Sequence, residues 1–89
     1  MNVMNIENLK TLVLAEYDSR ALKSNVRYRA LDKIVAFVKS HYGVDVAELP
    51  SDKAVLKLAY KEYKGSELSG AESSAVNEIY NQLICSTSC

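Results

Sequence analysis

The sequence predicts an all-α fold, a small antiparallel four-helix bundle, and three observations carry that prediction. Apolar side chains recur at helical intervals in four separate stretches. The last two stretches are joined by the polar turn Gly65-Ser66-Glu67-Leu68-Ser69, and Ser69 with Glu72 spells a capping box, in which hydroxyl and carboxylate satisfy orphaned helix-start N–H groups. Finally, 89 residues at 48% apolar content supply one modest core and little room for a deep substrate cavity. The expected organisation is a single helical domain over 1–89, with helices at about 5–18, 26–42, 52–64 and 70–84 and a flexible tail over 85–89.

In the first helix Ile6, Leu9, Val13 and Tyr17 form one stripe, Leu12 widens it, and Asn5 can serve as N-cap. In the second, Leu31, Ile34, Val35, Val38 and Tyr42 align, with Ala30 and Phe37 broadening the face. Gly43 stands where a left-handed C-terminal cap falls, and Lys39 and His41 suit the negative end of the helix dipole. The connection over 44–50 reads as a loop with at most one helical turn, because a solitary strand would leave its backbone groups unpaired. Val44, Val46 and Leu49 are expected to tuck beneath it as core plugs.

Ser51 is the expected N-cap of the third helix, with Asp52 favoured at its positive end. There Val55, Leu58, Ala59 and Glu62 trace one line while Leu56, Ala59, Tyr60 and Tyr63 trace another, so the helix should bury against more than one neighbour or serve a dimer seam. The fourth helix presents Val76, Ile79, Tyr80 and Leu83 inward, with Ala75 and Ile84 at the edges and Asn77, Glu78, Asn81 and Gln82 toward water. Tyr17, Tyr42, Tyr63 and Tyr80 fall on core stripes, whereas Tyr28 and Tyr60, if exposed together beside cations, would make an interface anchor.

Charge and motif content narrow the function. Eleven basic and eleven acidic side chains cancel, so the whole-molecule positive field used in nonspecific nucleic-acid binding is missing. No apolar run approaches the roughly 18 residues that span a bilayer, and the first five residues lack the pattern of a signal peptide, so a cytoplasmic protein is expected. His41, the only histidine, has no suggested acid or nucleophile beside it and reads as a surface or capping group. Cys85 and Cys89 offer two ligands where a structural zinc takes four, so no metal, cofactor or catalytic residue is expected.

Two cationic features are the candidate binding sites. Lys53, Lys57, Lys61 and Lys64 form a row down one side of the third helix, next to Glu67 and Ser69 of the following turn. Such a row suits a solvated face, or a docking strip for an acidic partner or the anionic inner face of a membrane. Arg20, Lys23, Arg27 and Arg29 gather near the first connection as a second basic patch. The expected role is that of a non-catalytic interaction protein, with a phage- or mobile-element-type inhibitor of a host macromolecule as the alternative.

The order of elements, with the link over 19–25, the third helix opened by Pro50-Ser51, and Lys64-Gly65-Ser66-Glu67-Leu68-Ser69 leading into Glu72, Val76, Ile79 and Leu83, resembles immunity proteins of the enterocin A and pediocin-like bacteriocin class. That resemblance covers most of the chain and implies a four-helix bundle. It also implies protection of a producing cell through engagement of the bacteriocin and its mannose phosphotransferase receptor from the cytoplasmic side. The last two helices and their turn would then be the recognition elements. The segment after the last helix is shorter here than in many members of that class.

Overall fold

The stripe Ile6, Leu9, Val13 and Tyr17 is buried along its whole length in the computed structural model, which describes residues 5–22 and 24–87 and the side chains as far as Ile84. Four helices form the bundle: α1 (Ile6–Ser19), α2 (Asn25–His41), α3 (Lys53–Lys64) and α4 (Gly70–Thr87). α1, α2 and α4 pack against one another, and α3 lies on α4. The fold class is the one predicted, and the observed helix limits differ from the expected ones by a residue or so except at the end. There the helical backbone continues through Thr87, across three residues expected to belong to a flexible tail.

Each helix start has a local cause. The Asn5 side chain accepts from Asn8 N–H at 2.9 Å and caps α1. The Ser24 hydroxyl accepts from Val26 N–H at 3.2 Å and caps α2. α3 is capped by Asp52, whose carboxylate accepts from Ala54 N–H at 2.9 Å, not by Ser51. A carboxylate at that position satisfies an orphan donor and also meets the positive end of the dipole. At α4 the expected capping box is formed: Ser69 N–H donates to Glu72 Oε1 at 2.8 Å, and Glu72 N–H donates to Ser69 Oγ at 3.2 Å.

Left-handed glycines end two of the helices. Gly43 has φ +102° and donates its N–H to the Val38 carbonyl, and Gly65 has φ +77° at the C-cap of α3. Between them the 44–50 connection holds one 3-10 turn (Val46–Glu48) and a single bridge pairing Asp45 with Asn5; no strand occurs among the described residues. The Ile6 N–H donates to the Val44 carbonyl at 2.8 Å, so the backbone at Val44 ties the link to α1 while its side chain stays outside. Only Val46 and Leu49 of the three expected plugs pack on the core.

The largest departure from expectation is the face that α3 buries. Leu56 and Tyr60 are enclosed, whereas Val55, Leu58 and Tyr63 remain 51%, 56% and 70% exposed. Leu56 and Tyr60 are four residues apart and stand one above the other on the face turned to α4, whereas Leu58 lies about half a turn away and points outward. Tyr63 rests at the rim, its ring 4.9 Å from that of Phe37, so it covers the core without entering it. On α4, Ile84 is exposed, while Asn77 and Glu78 are half-buried and do not face water freely. No helix among the described residues is long and apolar enough to cross a membrane.

Candidate functional site

The α3–α4 turn is held by charge and by backbone bonds acting together. Lys64 Nζ pairs with Glu72 Oε1 and donates to the Glu67 carbonyl at 3.2 Å, while Lys61 pairs with the Glu67 carboxylate at 2.8 Å. Glu72 is only 6% exposed, and its second oxygen accepts from the Tyr60 hydroxyl at 3.1 Å. Burial on its own would raise the Glu72 carboxyl, but the bonds from Lys64, Ser69 and Tyr60 outweigh it and hold the group down at about 2. Tyr60 responds in the opposite sense: burial first, then the Glu72 charge, pushes its hydroxyl up to about 12.

The predicted lysine row therefore separates into two parts. Lys61 and Lys64 are engaged by Glu67 and Glu72, whereas Lys53 and Lys57 make no ion pair among the described residues. Glu67 and Ser69, expected as recognition points, serve the turn itself through the Lys61 pair and the capping box.

The second basic patch is also divided. Arg20 turns back to Glu16 at 2.8 Å and reaches Glu78 at 3.3 Å. Arg27 lies over the ring of Tyr17, 6.0 Å from its centroid. Lys23 falls outside the described residues. Arg29 alone of this group joins residues of the other set: an open groove of about 300 Å³ is lined on the α2 side by Val26, Arg29, Ala30 and Lys33 and on the other by Lys64, Ser69 and Glu72. A smaller depression of about 250 Å³, with Arg27 and Gly70 among its walls, adjoins it at Val26.

This groove brings together Arg29, Lys64 and Ser69, which the sequence flagged in separate stretches, and adds Lys33, which it did not. The missed signal is the spacing Val26, Arg29, Ala30, Lys33, a single helical stripe at i, i+3, i+4 and i+7 with cations where the other stripes carry apolar residues. Arg29 and Lys33 are exposed and form no ion pair among the described residues. Since Glu72 is already neutralised by Lys64, the groove carries a positive excess.

The tyrosines are deployed otherwise than as an interface anchor. Tyr60 is buried, and the half-buried Tyr28 donates its hydroxyl to Asp18 at 2.9 Å. The exposed His41 stacks on Phe37 with ring centroids 5.0 Å apart, a packing role at the end of α2. No cluster of three or more histidine, cysteine or acidic residues suited to a metal occurs among the described residues. The chain matches no family model, no curated protein and no solved structure.

Proposed function

We propose that this chain is a non-catalytic interaction protein that engages a protein partner through the cationic groove between α2 and the α3–α4 turn. One observation carries the reading: Arg29 and Lys33 stand unpaired beside the exposed Val26, opposite a turn whose own charges are already matched. Cations next to apolar surface in a concave site suit recognition of a complementary acidic surface. The polar groups nearest the groove hold the turn in place, which favours a rigid docking face over a reacting centre.

Within that class, the resemblance of the helix order to immunity proteins of pediocin-like bacteriocins makes protection of a producer cell the specific reading, with a bacteriocin–receptor complex as the partner. The test is expression of the chain in a strain killed by such bacteriocins. Survival against one member of the class supports the immunity reading, and loss of that survival on Arg29→Glu with Lys33→Glu assigns it to the groove. Unchanged killing across the class removes the immunity reading.

A further inference from the structure

We propose that the segment received by this groove is an acidic amphipathic helix, lying along the first half of α2 with an aliphatic side chain on Val26 and carboxylates on Arg29 and Lys33. This rests on the reading of the groove as the partner face. Val26, Arg29, Ala30 and Lys33 occupy one stripe of α2, so Arg29 and Lys33, at i and i+4, are offset by about 6 Å along the axis, close to one turn. A ligand helix with acidic residues one turn apart repeats that spacing, and an aliphatic residue one turn before the first acid falls on Val26. Val26 is 61% exposed and lines both depressions, so an aliphatic side chain set on it reaches either.

The buried Ala30 keeps the floor of the stripe low between its two cations, which lets a helix approach α2 closely. Lys64 rims the opposite wall, held by Glu72, so that wall is charge-matched and does not repel an acidic segment. The start of α4 at Gly70 lies along the adjoining depression and adds the positive end of its dipole. An acidic peptide meets all of these features in one place.

The same features disfavour the other anionic partners. A bilayer surface is broad and flat, and a concave groove with two unpaired cations gives it little to hold, each basic residue adding only about 1 kcal/mol there. A nucleic-acid duplex requires a longer run of phosphate contacts than the charge-balanced chain provides.

The test uses the full chain and a fluorescein-labelled synthetic peptide, helical in isolation, with one leucine followed by glutamates one and two turns further on. Binding is read by anisotropy, and circular dichroism confirms that each variant is folded. Arg29→Glu or Lys33→Glu should each weaken binding by at least about tenfold, the range of a lost charge-assisted bond, while Lys53→Glu on α3 changes it less than about twofold. A scrambled peptide of the same composition should bind far more weakly.

Equal binding of the scrambled peptide, or equal sensitivity to Lys53→Glu, overturns the proposal. So does capture by phosphatidylserine vesicles that depends on Arg29 and Lys33 when the peptide shows no binding. If the peptide fails while the Arg29 and Lys33 variants still abolish protection in cells, the occupant is wrong and the functional reading stands. If the peptide binds as described and those variants still protect, protection does not run through the groove and the reading of the groove as the partner face fails, while the groove chemistry stands.

Discussion

Lys64 and Glu72, eight residues apart in the chain, close an ion pair across the turn that joins α3 to α4. Its geometry couples two levels of structure. Glu72 also completes the capping box at Ser69 and accepts the Tyr60 hydroxyl, so one carboxylate fixes the start of α4, the end of α3 and the inner face of α3 together. This fixed turn forms one wall of the cationic groove.

Acid should loosen this turn first. The Glu72 carboxyl is held at about 2 against an ordinary value of 4.5, so between those pH values the unfolded chain binds the extra proton and stability rises with pH. The contribution is fully present above about 4.5 and is lost as pH falls through about 2, with a ceiling of roughly 3 kcal/mol for a shift of this size. Urea unfolding of the wild type and of Glu72→Gln measures it. The variant should be about 2 kcal/mol less stable at pH 7 and should lose much of the wild type's acid dependence in this window. Parallel pH curves for the two proteins would show that Glu72 is not the group responsible.

Two buried tyrosines provide an internal contrast. Tyr80 donates its hydroxyl to the Pro50 carbonyl at 2.6 Å, fastening the link before α3 to α4, whereas the Tyr17 hydroxyl has no hydrogen-bond partner among the described protein groups. Tyr80→Phe should therefore cost about 1 kcal/mol by leaving that carbonyl with one bond fewer. Tyr17→Phe, which keeps the ring in place, should stay within about 0.5 kcal/mol of wild type. Chemical denaturation of both variants at neutral pH decides the matter, and a larger loss for Tyr17→Phe would contradict the assignment.

Legibility in the sequence followed how sharply each pattern chose one face. α1 and α2 were readable because each carries an unbroken apolar stripe at helical spacing that is the face buried, although Leu12, expected to widen the α1 stripe, stays exposed; Ser69 with Glu72 is a local signature that needs no tertiary partner. α3 was ambiguous because Val55 and Leu58 are as apolar as Leu56, and only the placement of α4 against Leu56 and Tyr60 selects the face. The cap of α3 slipped by one residue because Ser51 and Asp52 both suit the position. Arg29 was flagged in one basic patch and Lys64 with Ser69 in another feature, but their convergence depends on α2 lying beside the turn; the stripe Val26, Arg29, Ala30, Lys33 marks a cationic face of α2 without saying what it faces.

The face chosen by α3 gives a test with two leucines of the same helix, two residues apart. Leu56 is fully buried, so Leu56→Ala removes packed methyl groups and leaves a cavity, at a cost of about 3 kcal/mol. Leu58 is more than half exposed, and Leu58→Ala should change stability by less than about 0.5 kcal/mol. Equilibrium unfolding of the pair measures the difference directly. Comparable losses would mean that Leu58 is covered in solution, with a second copy of the chain as the first partner to seek by sedimentation.

Backbone strain offers the last test, because two left-handed residues carry opposite side-chain choices. Gly65 ends α3 at φ +77° with open space where a Cβ would stand, so Gly65→Ala meets no clash and pays only the conformational cost of that region, about 1 kcal/mol. Ala21, just after α1, already adopts φ +57° with a Cβ in place. Ala21→Gly relieves that strain but frees the unfolded chain, so its net gain should be smaller, within about 1 kcal/mol. Thermal unfolding should place Gly65→Ala below wild type and Ala21→Gly at or above it. The reverse order would mean that the chain leaves α1 and α3 by other backbone conformations.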